Sequence, residues 1–210
     1  MPRQATRAGQ PAPERQRARR SDSMRNSSLV TAAAIEMFAR HGKDATVAQV
    51  AERAGVGKAT VYRTYASRED MVAAMLEHRL TWMRERMERA AVGDDGWAQF
   101  AALIGDVMER MRQDRFLLYV VVTPPSSMND RMGAALGPLI LAILAAAKNS
   151  GQVRADVNGS DLGILMSGAA AALAIKEDFT SASWRRAAGL ILAACRACDG
   201  ACQHGRAARR

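Results

Sequence analysis

The sequence has few aromatic residues and no long uninterrupted hydrophobic segment. Aromatic residues make up 5% of the 210-residue chain, although hydrophobic residues together make up 49%. Such a core consists mainly of alanine, leucine and methionine, which favour helices, whereas strands are enriched in aromatic and β-branched residues. We therefore expect an all-α protein.

Cysteines are also scarce, and all three lie between positions 195 and 202. This distribution gives no disulfide framework and is typical of a protein from a reducing compartment. The longest uncharged run, residues 132–147, contains two glycines and a proline and is shorter than the ~18 apolar residues of a membrane span. The arginine-rich start is not followed by the apolar segment of a signal peptide. We expect a cytoplasmic location and no membrane association.

The formal net charge of +9 is concentrated near the two ends of the chain. Residues 1–20 contain six arginines and one glutamate, whereas residues 21–70 contain seven basic and six acidic residues. Residues 71–198 are similarly balanced, with fourteen basic and thirteen acidic residues. Overall charge is therefore weak support for DNA binding, which has to be argued from a local motif.

Composition and helical periodicity divide the chain into four parts. Residues 1–23 are rich in Arg, Pro, Gln and Ser and are predicted to be disordered, as a solvated tail or as a basic arm that touches DNA phosphates. Residues 24–70 form a small N-terminal domain and residues 71–198 a larger helical one. Residues 199–210 are predicted to be a flexible tail.

Within the small domain, the spacing predicts three helices and the start of a fourth. The first helix ends at Gly42, and Thr46 begins the second, with Gln49 three residues later completing a capping box. The run "AGVG" (54–57) ends that helix, and "KATVYRTY" (58–65) forms the third. Ser67 and Asp70 cap a long fourth helix. Two short helices joined by a glycine-containing turn are a helix-turn-helix unit.

In a helix-turn-helix unit the second of the two helices enters the major groove of DNA. Val56 and Val61 are predicted to point inward, so the other side of this helix is available to DNA. Lys58 and Arg63 suit phosphates or guanine edges, and Tyr62 suits a phosphate oxygen. Thr60 is short enough for either contact. Ala59 is small enough to allow close approach, and its methyl group suits a thymine methyl.

The order and spacing of these residues resemble the DNA-binding domain of TetR-family transcriptional regulators over residues 25–71. The run that carries the resemblance is "AAIEMFARHGKDATVAQVAERAGVGKATVYRTYASREDM". The sequence departs from the common family pattern at a few positions, where it has Thr31, Gly57, Ala59, Tyr65 and Arg68. The resemblance implies that Thr46, Lys58, Thr60, Tyr62 and Arg63 contact DNA and that Arg68 holds a phosphate. For Tyr65 we expect a packing role between the first and fourth helices.

The resemblance also implies a homodimer that places two recognition helices in successive major grooves, about 34 Å apart on a palindromic operator. A small-molecule effector would then shift the fourth helix and release DNA. The sequence itself predicts further helices over residues 97–111, 115–122, 128–149, 160–175 and 184–198. The last two are apolar on nearly all sides, and we expect them to form the dimer interface.

Six residues in the larger domain are candidates for the effector pocket because methionine adapts to varied apolar shapes and tyrosine adds a polar end. They are Met108, Met111, Phe116, Tyr119, Met128 and Met166. Each of them, taken singly, also fits an ordinary core position. The sequence does not identify the effector.

The C-terminal run "CRACDGACQH" (195–204) raises a second hypothesis, a thiol- or metal-responsive regulator that uses Cys195, Cys198 and Cys202. On a continuous helix the first and last of these thiols lie about 10 Å apart, too far for one ion. Two more classes stay open, a DNA-binding protein without an effector and an enzyme on a helical scaffold. The sequence offers no nucleophile, base and orienting partner together. We expect no catalytic site, metal or cofactor.

Overall fold

The computed structural model describes residues 13–124 and 126–197, with side-chain environments for residues 24–124 and 128–197. This part of the chain is mainly helical, and its β-type pairing is limited to an isolated bridge between Val153 and Arg196. The all-α prediction is therefore confirmed. The α-helices are α1 (Pro13–His41), α2 (Val47–Ala54), α3 (Lys58–Thr64), α4 (Arg68–Ala91), α5 (Gly96–Gln113), α6 (Arg115–Val122), α7 (Ser126–Asn149), α8 (Gly159–Ile175) and α9 (Ser181–Cys195), with a 3₁₀ turn at Gly42–Asp44.

The chain forms two compact units. The first, called the DNA-binding unit below after the role that the sequence predicts for it, contains α1 up to Met37 and the segment Thr46–Met71. The second, called the body unit, contains Phe38–Ala45 and the chain from Val72 onward. The end of α1 and the 3₁₀ turn therefore belong to the body unit, although both precede α2 in the sequence.

Helix α1 begins earlier than the sequence patterns predicted. The segment 13–23, expected to be part of a disordered arm, continues α1 toward the N-terminus, while residues 1–12 lie outside the described range. Its arginines, glutamate, glutamine and alanine have high helix propensity, and proline is well tolerated in a first helical turn. These local preferences account for a helical segment that contains almost no apolar residue to bury.

Helices α2 and α3 are joined by the glycine-containing turn that the sequence predicts. Thr46 caps α2, since its side chain accepts a hydrogen bond from the Gln49 amide at 3.2 Å, and the Gln49 side chain accepts one from the Thr46 amide at 2.8 Å. Val50 and Ala51 bury the inner face of α2. Gly55 ends the helix with a φ of 67°, a left-handed conformation that costs a residue with a Cβ about 1 kcal/mol or more.

In the body unit, α5 packs against both α7 and α9. At the start of α5 the backbones of α5 and α7 meet closely, because a Cβ on Gly96 would lie 2.4 Å from the carbonyl oxygen of Ala146. Trp184 of α9 is fully buried, and its indole N–H donates to the carbonyl of Asp178 at 2.7 Å. These contacts place α5 at the centre of the unit.

A buried ion pair joins α4 to the α5–α6 junction. Arg79 and Asp114 are each 1% exposed, and Nε of Arg79 lies 2.9 Å from Oδ2 of Asp114. Asp114 also caps α6, since its Oδ1 accepts hydrogen bonds from the amides of Phe116 and Leu117 at 3.1 and 3.0 Å. One carboxylate therefore pairs with a buried cation and fixes the start of a helix.

The neighbourhood of this ion pair affects His78, the residue before Arg79. Nη1 of Arg79 lies 3.4 Å from Nδ1 of His78. Partial desolvation of the imidazole lowers the pKa of His78 below its ordinary value of 6.5, and the positive charges of Arg79 and Arg110 lower it further. The neutral imidazole is consequently the form that the fold favours.

Helix α7 is the most apolar long helix of the described part of the chain. Residues Met128–Asn149 are long and apolar enough to cross a membrane by length and composition alone. Of its most apolar 18-residue stretch, 22% is buried, and α7 packs against α5 and α8 in the body unit. Pro138 lies within it, on the solvent-exposed side.

Candidate nucleic-acid interface and ligand cavity

Helix α3 presents one face to the interior of the DNA-binding unit and the other to solvent. Val61 is 1% exposed and anchors the inner face, whereas the side chain positions of Lys58, Ala59 and Arg63 are exposed. Tyr62 is 50% exposed, which is a large exposed fraction for an aromatic side chain. Its ring stacks on no other described aromatic residue. The exposed face combines two cations, a phenol and a small residue, which are the groups suited to phosphates and base edges.

Two of the predicted DNA-contacting side chains are positioned by hydrogen bonds within the unit. Nη2 of Arg63 donates to Oγ1 of Thr60 at 2.6 Å, which holds the guanidinium along the exposed side of α3. Thr46 is exposed at the start of α2, but its side chain and its amide are both used in the capping box. Thr46 therefore has a demonstrated structural role, and its contact with DNA stays a prediction.

Arg68 is the first residue of α4 and is exposed. The start of this helix is fixed by Ser67, whose hydroxyl accepts a hydrogen bond from the Asp70 amide at 3.0 Å. A cation on the first turn does not gain from the helix dipole. Its position outside the core is compatible with the predicted phosphate contact.

Tyr65 has a structural role, as expected. Its hydroxyl donates to Oγ1 of Thr31 on α1 at 3.1 Å, and both residues are half-buried. Tyr65 and Thr31 are two of the positions at which the sequence departs from the common TetR-family pattern. The hydrogen bond accounts for both departures together, because each hydroxyl group is the hydrogen-bonding partner of the other.

The body unit contains a partly open cavity of about 450 Å³ between α4, α5, α7 and α8. This volume lies within the range of small-molecule sites in proteins. Helices α4 and α5 contribute Met83, Met87, Phe100, Leu103, Ile104 and Val107. Helix α7 contributes apolar residues that include Met132, Leu136, Ile140 and Leu144, and α8 contributes Leu162, Ile164 and Met166.

Glycines leave much of this volume empty. Gly133 and Gly137 on α7 and Gly163 on α8 line the cavity, and a Cβ added at any of them would have no neighbour within 4 Å. The polar side chains that line it are Asn129, Ser160 and Ser167. Among the described residues of the lining, none carries a charge.

The structure places five of the six residues predicted for the pocket away from this cavity. Met166 lines it, whereas Met108, Met111 and Phe116 are almost fully buried in the core. Phe116 makes an edge-to-face contact with Phe38, with ring centroids 5.1 Å apart. Large flexible and aromatic side chains fill space, which accounts for their core positions.

The remaining two predicted residues lie outside the cavity lining as well. Tyr119 is half-buried, with the Lys43 ammonium 5.9 Å from its ring centroid. Met128 is buried near the start of α7. The sequence-based prediction missed the glycines at 133, 137 and 163. Gly133 and Gly137 are four residues apart on α7, and this spacing was a usable signal for a helix face without side chains.

Cys195 is buried at the end of α9, and burial raises the pKa of its thiol, with Asp161 also raising it and Arg154 opposing both. A raised pKa keeps the thiol protonated and weakly reactive at neutral pH. Cys198 and Cys202, which the thiol or metal hypothesis also requires, lie outside the described residues. Within the described part of the chain, no cluster of His, Cys, Asp and Glu is arranged to hold a metal ion.

Comparison with known proteins finds a family match near the N-terminus of the chain. Residues 30–75 match the family model described as "Bacterial regulatory proteins, tetR family". No curated protein matches the chain. The matched segment contains most of the DNA-binding unit, including all of α2 and α3.

Solved structures with similar folds are numerous. A TetR transcription regulatory protein from Mycobacterium vanbaalenii is 25% identical, with a TM-score of 0.55 over 85% of this chain and 99% of that one. SmeT, the repressor of the Stenotrophomonas maltophilia multidrug efflux pump SmeDEF, is 18% identical, with a TM-score of 0.60 over 83% and 91% of the two chains. FadR from Bacillus subtilis in complex with stearoyl-CoA is 17% identical, with a TM-score of 0.58 over 79% and 97%.

Proposed function

We propose that this chain, a TetR-family transcriptional regulator, is a dimeric repressor that binds a palindromic DNA operator and is released from it by a small-molecule effector. The observation that carries the proposal is the exposed face of α3, on which Lys58, Tyr62 and Arg63 are available while Val61 anchors the helix. Binding to DNA would place the protein in the cytoplasm. Thr46, Ala59, Thr60 and Arg68 would add contacts at the edges of the same surface.

Exposed apolar residues on α8 and α9 support the proposed dimer. Helix α8 exposes Ile164 and Ile175 at 67% and 83%, and α9 exposes Leu190 at 54%. The exposed positions near them on the two helices include small residues, Gly168 and Gly189 among them. An apolar surface of this kind on two neighbouring helices favours burial against a second copy. The proposed interface therefore uses α8 and α9, which overlap the segments 160–175 and 184–198 predicted from the sequence.

The cavity between α4, α5, α7 and α8 supports the proposed effector site. It is lined mainly by apolar side chains with a few polar groups, which is the usual character of a small-molecule site. The related FadR structure contains stearoyl-CoA, so a protein of this fold can hold a ligand with a long apolar part. Of the pocket residues predicted from the sequence, Met166 is retained in the proposal.

The proposal is tested by footprinting the protein on DNA that flanks its own gene. We expect a palindromic protected site whose affinity falls steeply with salt, because phosphate contacts release counterions. Lys58→Ala should weaken binding and reduce the salt slope by about 1 per half-site. Tyr62→Phe removes one hydrogen bond per half-site, so we expect a loss of about 1–3 kcal/mol for the dimer.

Lys176→Ala is the matched control, since Lys176 is an exposed lysine outside the DNA-binding unit. It should leave affinity and salt slope unchanged. Sedimentation should show that all three variants keep the parent's oligomeric state. Parental affinity in both Lys58→Ala and Tyr62→Phe would refute the assigned contacts, and the absence of any protected site would count against the proposed function.

A further inference from the structure

We propose that the cavity binds a neutral, largely apolar molecule with one or two hydrogen-bonding groups, and that it discriminates against carboxylates, phosphates and ammonium ions. The inference rests on the proposed function, because it names the class of effector that this site would accept. It is carried by the chemistry of the lining, helix by helix.

The electrostatics of the lining favour a neutral ligand. An ion that leaves water for an apolar site loses hydration worth several kcal/mol unless an opposite charge or several hydrogen bonds replace it. No charged residue occurs among the described residues of the lining. The walls contributed by α4 and α5 are methionine, phenylalanine, leucine, isoleucine and valine. A charged group placed against these walls would therefore lose hydration without a charged side chain to compensate, whereas a neutral group would not.

The polar groups of the lining are few and well separated. Ser160 and Ser167 are seven residues apart on α8, two helical turns or about 10 Å along one face. Asn129 lies on α7 at the same face as Gly133 and Gly137. None of these three side chains forms a hydrogen bond with another described residue, so each can serve a ligand. A hydroxyl, carbonyl or amide suits such partners.

The volume of the cavity sets the size of the ligand. The three glycines leave room where α7 and α8 would otherwise fill the space with side chains. A volume of about 450 Å³ accommodates a small organic molecule and leaves little space for a large multiply charged group. Apolar burial is the main favourable contribution to binding in such a site.

The experiment compares three probes with the same ten-carbon chain, namely 1-decanol, decanoate and decylammonium, below their aggregation concentrations at about pH 7.5, where both ions keep their charge. Binding to the full-length protein is measured by calorimetric titration. We expect 1-decanol to bind at least tenfold more tightly than either ion. Decanoate or decylammonium binding within threefold of 1-decanol would overturn the inference, and so would the absence of 1-decanol binding.

Cavity-filling variants locate the binding event. Gly133→Leu and Gly163→Leu should each abolish 1-decanol binding, because they add bulk to the cavity lining from α7 and from α8, where a Cβ meets no neighbour. Gly105→Leu is the control, since Gly105 is also a helical glycine without neighbours at its Cβ but does not line the cavity. It should bind 1-decanol like the parent. Unchanged binding in both cavity variants would place the probe elsewhere and refute the site.

A gain-of-function variant tests the role of charge directly. Ser167→Lys introduces a cation into the lining and should raise the affinity for decanoate relative to 1-decanol by at least tenfold. An unchanged ratio would contradict the inference. Sedimentation is measured on the same samples, because a second copy of the chain could cover the cavity. A dimer that binds none of the three probes would also overturn the inference. Operator footprinting of the same preparations separates these outcomes from failure of the proposed function.

Discussion

Replacing Asp114 with asparagine should destabilise the body unit by about 3–5 kcal/mol, because it leaves the buried Arg79 guanidinium without its counter-charge. Both residues are 1% exposed, with 2.9 Å between Nε and Oδ2. Asparagine is nearly isosteric and retains the side-chain oxygen that caps α6. The substitution therefore removes the charge while keeping the cap.

Further variants separate the loss of the charge from the loss of the helix cap in the expected change in the free energy of unfolding. Asp114→Ala should cost about 1 kcal/mol more than Asp114→Asn, since it also removes the two amide hydrogen bonds at the start of α6. Arg79→Met with Asp114→Asn removes both charges and fills part of the space with an apolar side chain. We expect this double variant to be more stable than Asp114→Asn alone, because buried pairs can often be replaced by apolar residues at little cost.

The assay is urea unfolding followed by tryptophan fluorescence and circular dichroism. Trp82, Trp97 and Trp184 all belong to the body unit, so fluorescence reports that unit even if the two units unfold separately. Glu77→Gln is the control, because Glu77 and Arg131 form an exposed ion pair whose removal should cost roughly 0–1 kcal/mol. An Asp114→Asn variant within about 1 kcal/mol of the parent, below the range for breaking a buried pair, would refute the reasoning, as would a double variant no more stable than Asp114→Asn.

Four further expectations can be checked by the same urea unfolding, with circular dichroism as the probe for the variants in the DNA-binding unit, which contains no tryptophan. Tyr65→Phe should cost about 1 kcal/mol by leaving Thr31 without its partner, and adding Thr31→Val should restore part of that loss; additive losses would contradict the pairing. Gly55→Ala should destabilise the DNA-binding unit by about 1 kcal/mol because of its left-handed backbone, and an unchanged midpoint would argue against that conformation. Gly96→Ala should cost about 1–3 kcal/mol, since its Cβ would strike the Ala146 carbonyl; a stabilised variant would show that the helices are farther apart. The pKa of His78 is lower in the folded protein than its ordinary value of 6.5, so the unfolded chain binds a proton at a higher pH than the folded one does. The free energy of unfolding should therefore fall as the pH drops below about 6.5. Above that pH, His78 should contribute no pH dependence. His78→Gln should flatten this decline, and an equal decline in variant and parent would exclude the assignment.

The features that the sequence predicted correctly are those with local causes. The Thr46–Gln49 capping box spans four residues, and its two hydrogen bonds are present. The Ser67 cap of α4 and the bounds of α6 at residues 115 and 122 were likewise predicted. Capping residues, glycine and apolar periodicity act over a few positions, so they can be recognised without knowledge of the tertiary structure.

The buried ion pair shows what local patterns cannot reveal. Arg79 lies among other charged residues of α4, and Asp114 lies in a run that resembles an ordinary connection between two helices. Their burial depends on how α4 packs beside the α5–α6 junction, 35 positions away in the sequence. Charged residues are mostly exposed, so pattern alone assigns both to the surface. The N-terminal extension of α1 illustrates the opposite case, in which composition suggested disorder while helix propensity gave a helix.

The cavity of the body unit is lined mostly by residues other than the predicted ones, for a physical reason that applies to pocket prediction in general. Met108, Met111 and Phe116 were predicted to line it because such side chains can line a site, yet side chains that adapt to irregular spaces also fill them. Close packing then removes the cavity wherever these residues meet. Empty volume arises instead where side chains are absent, as at Gly133 and Gly163, which line the cavity from different helices. A pocket in a helical bundle is therefore better sought at glycines and small polar residues on apolar helix faces than at large adaptable side chains.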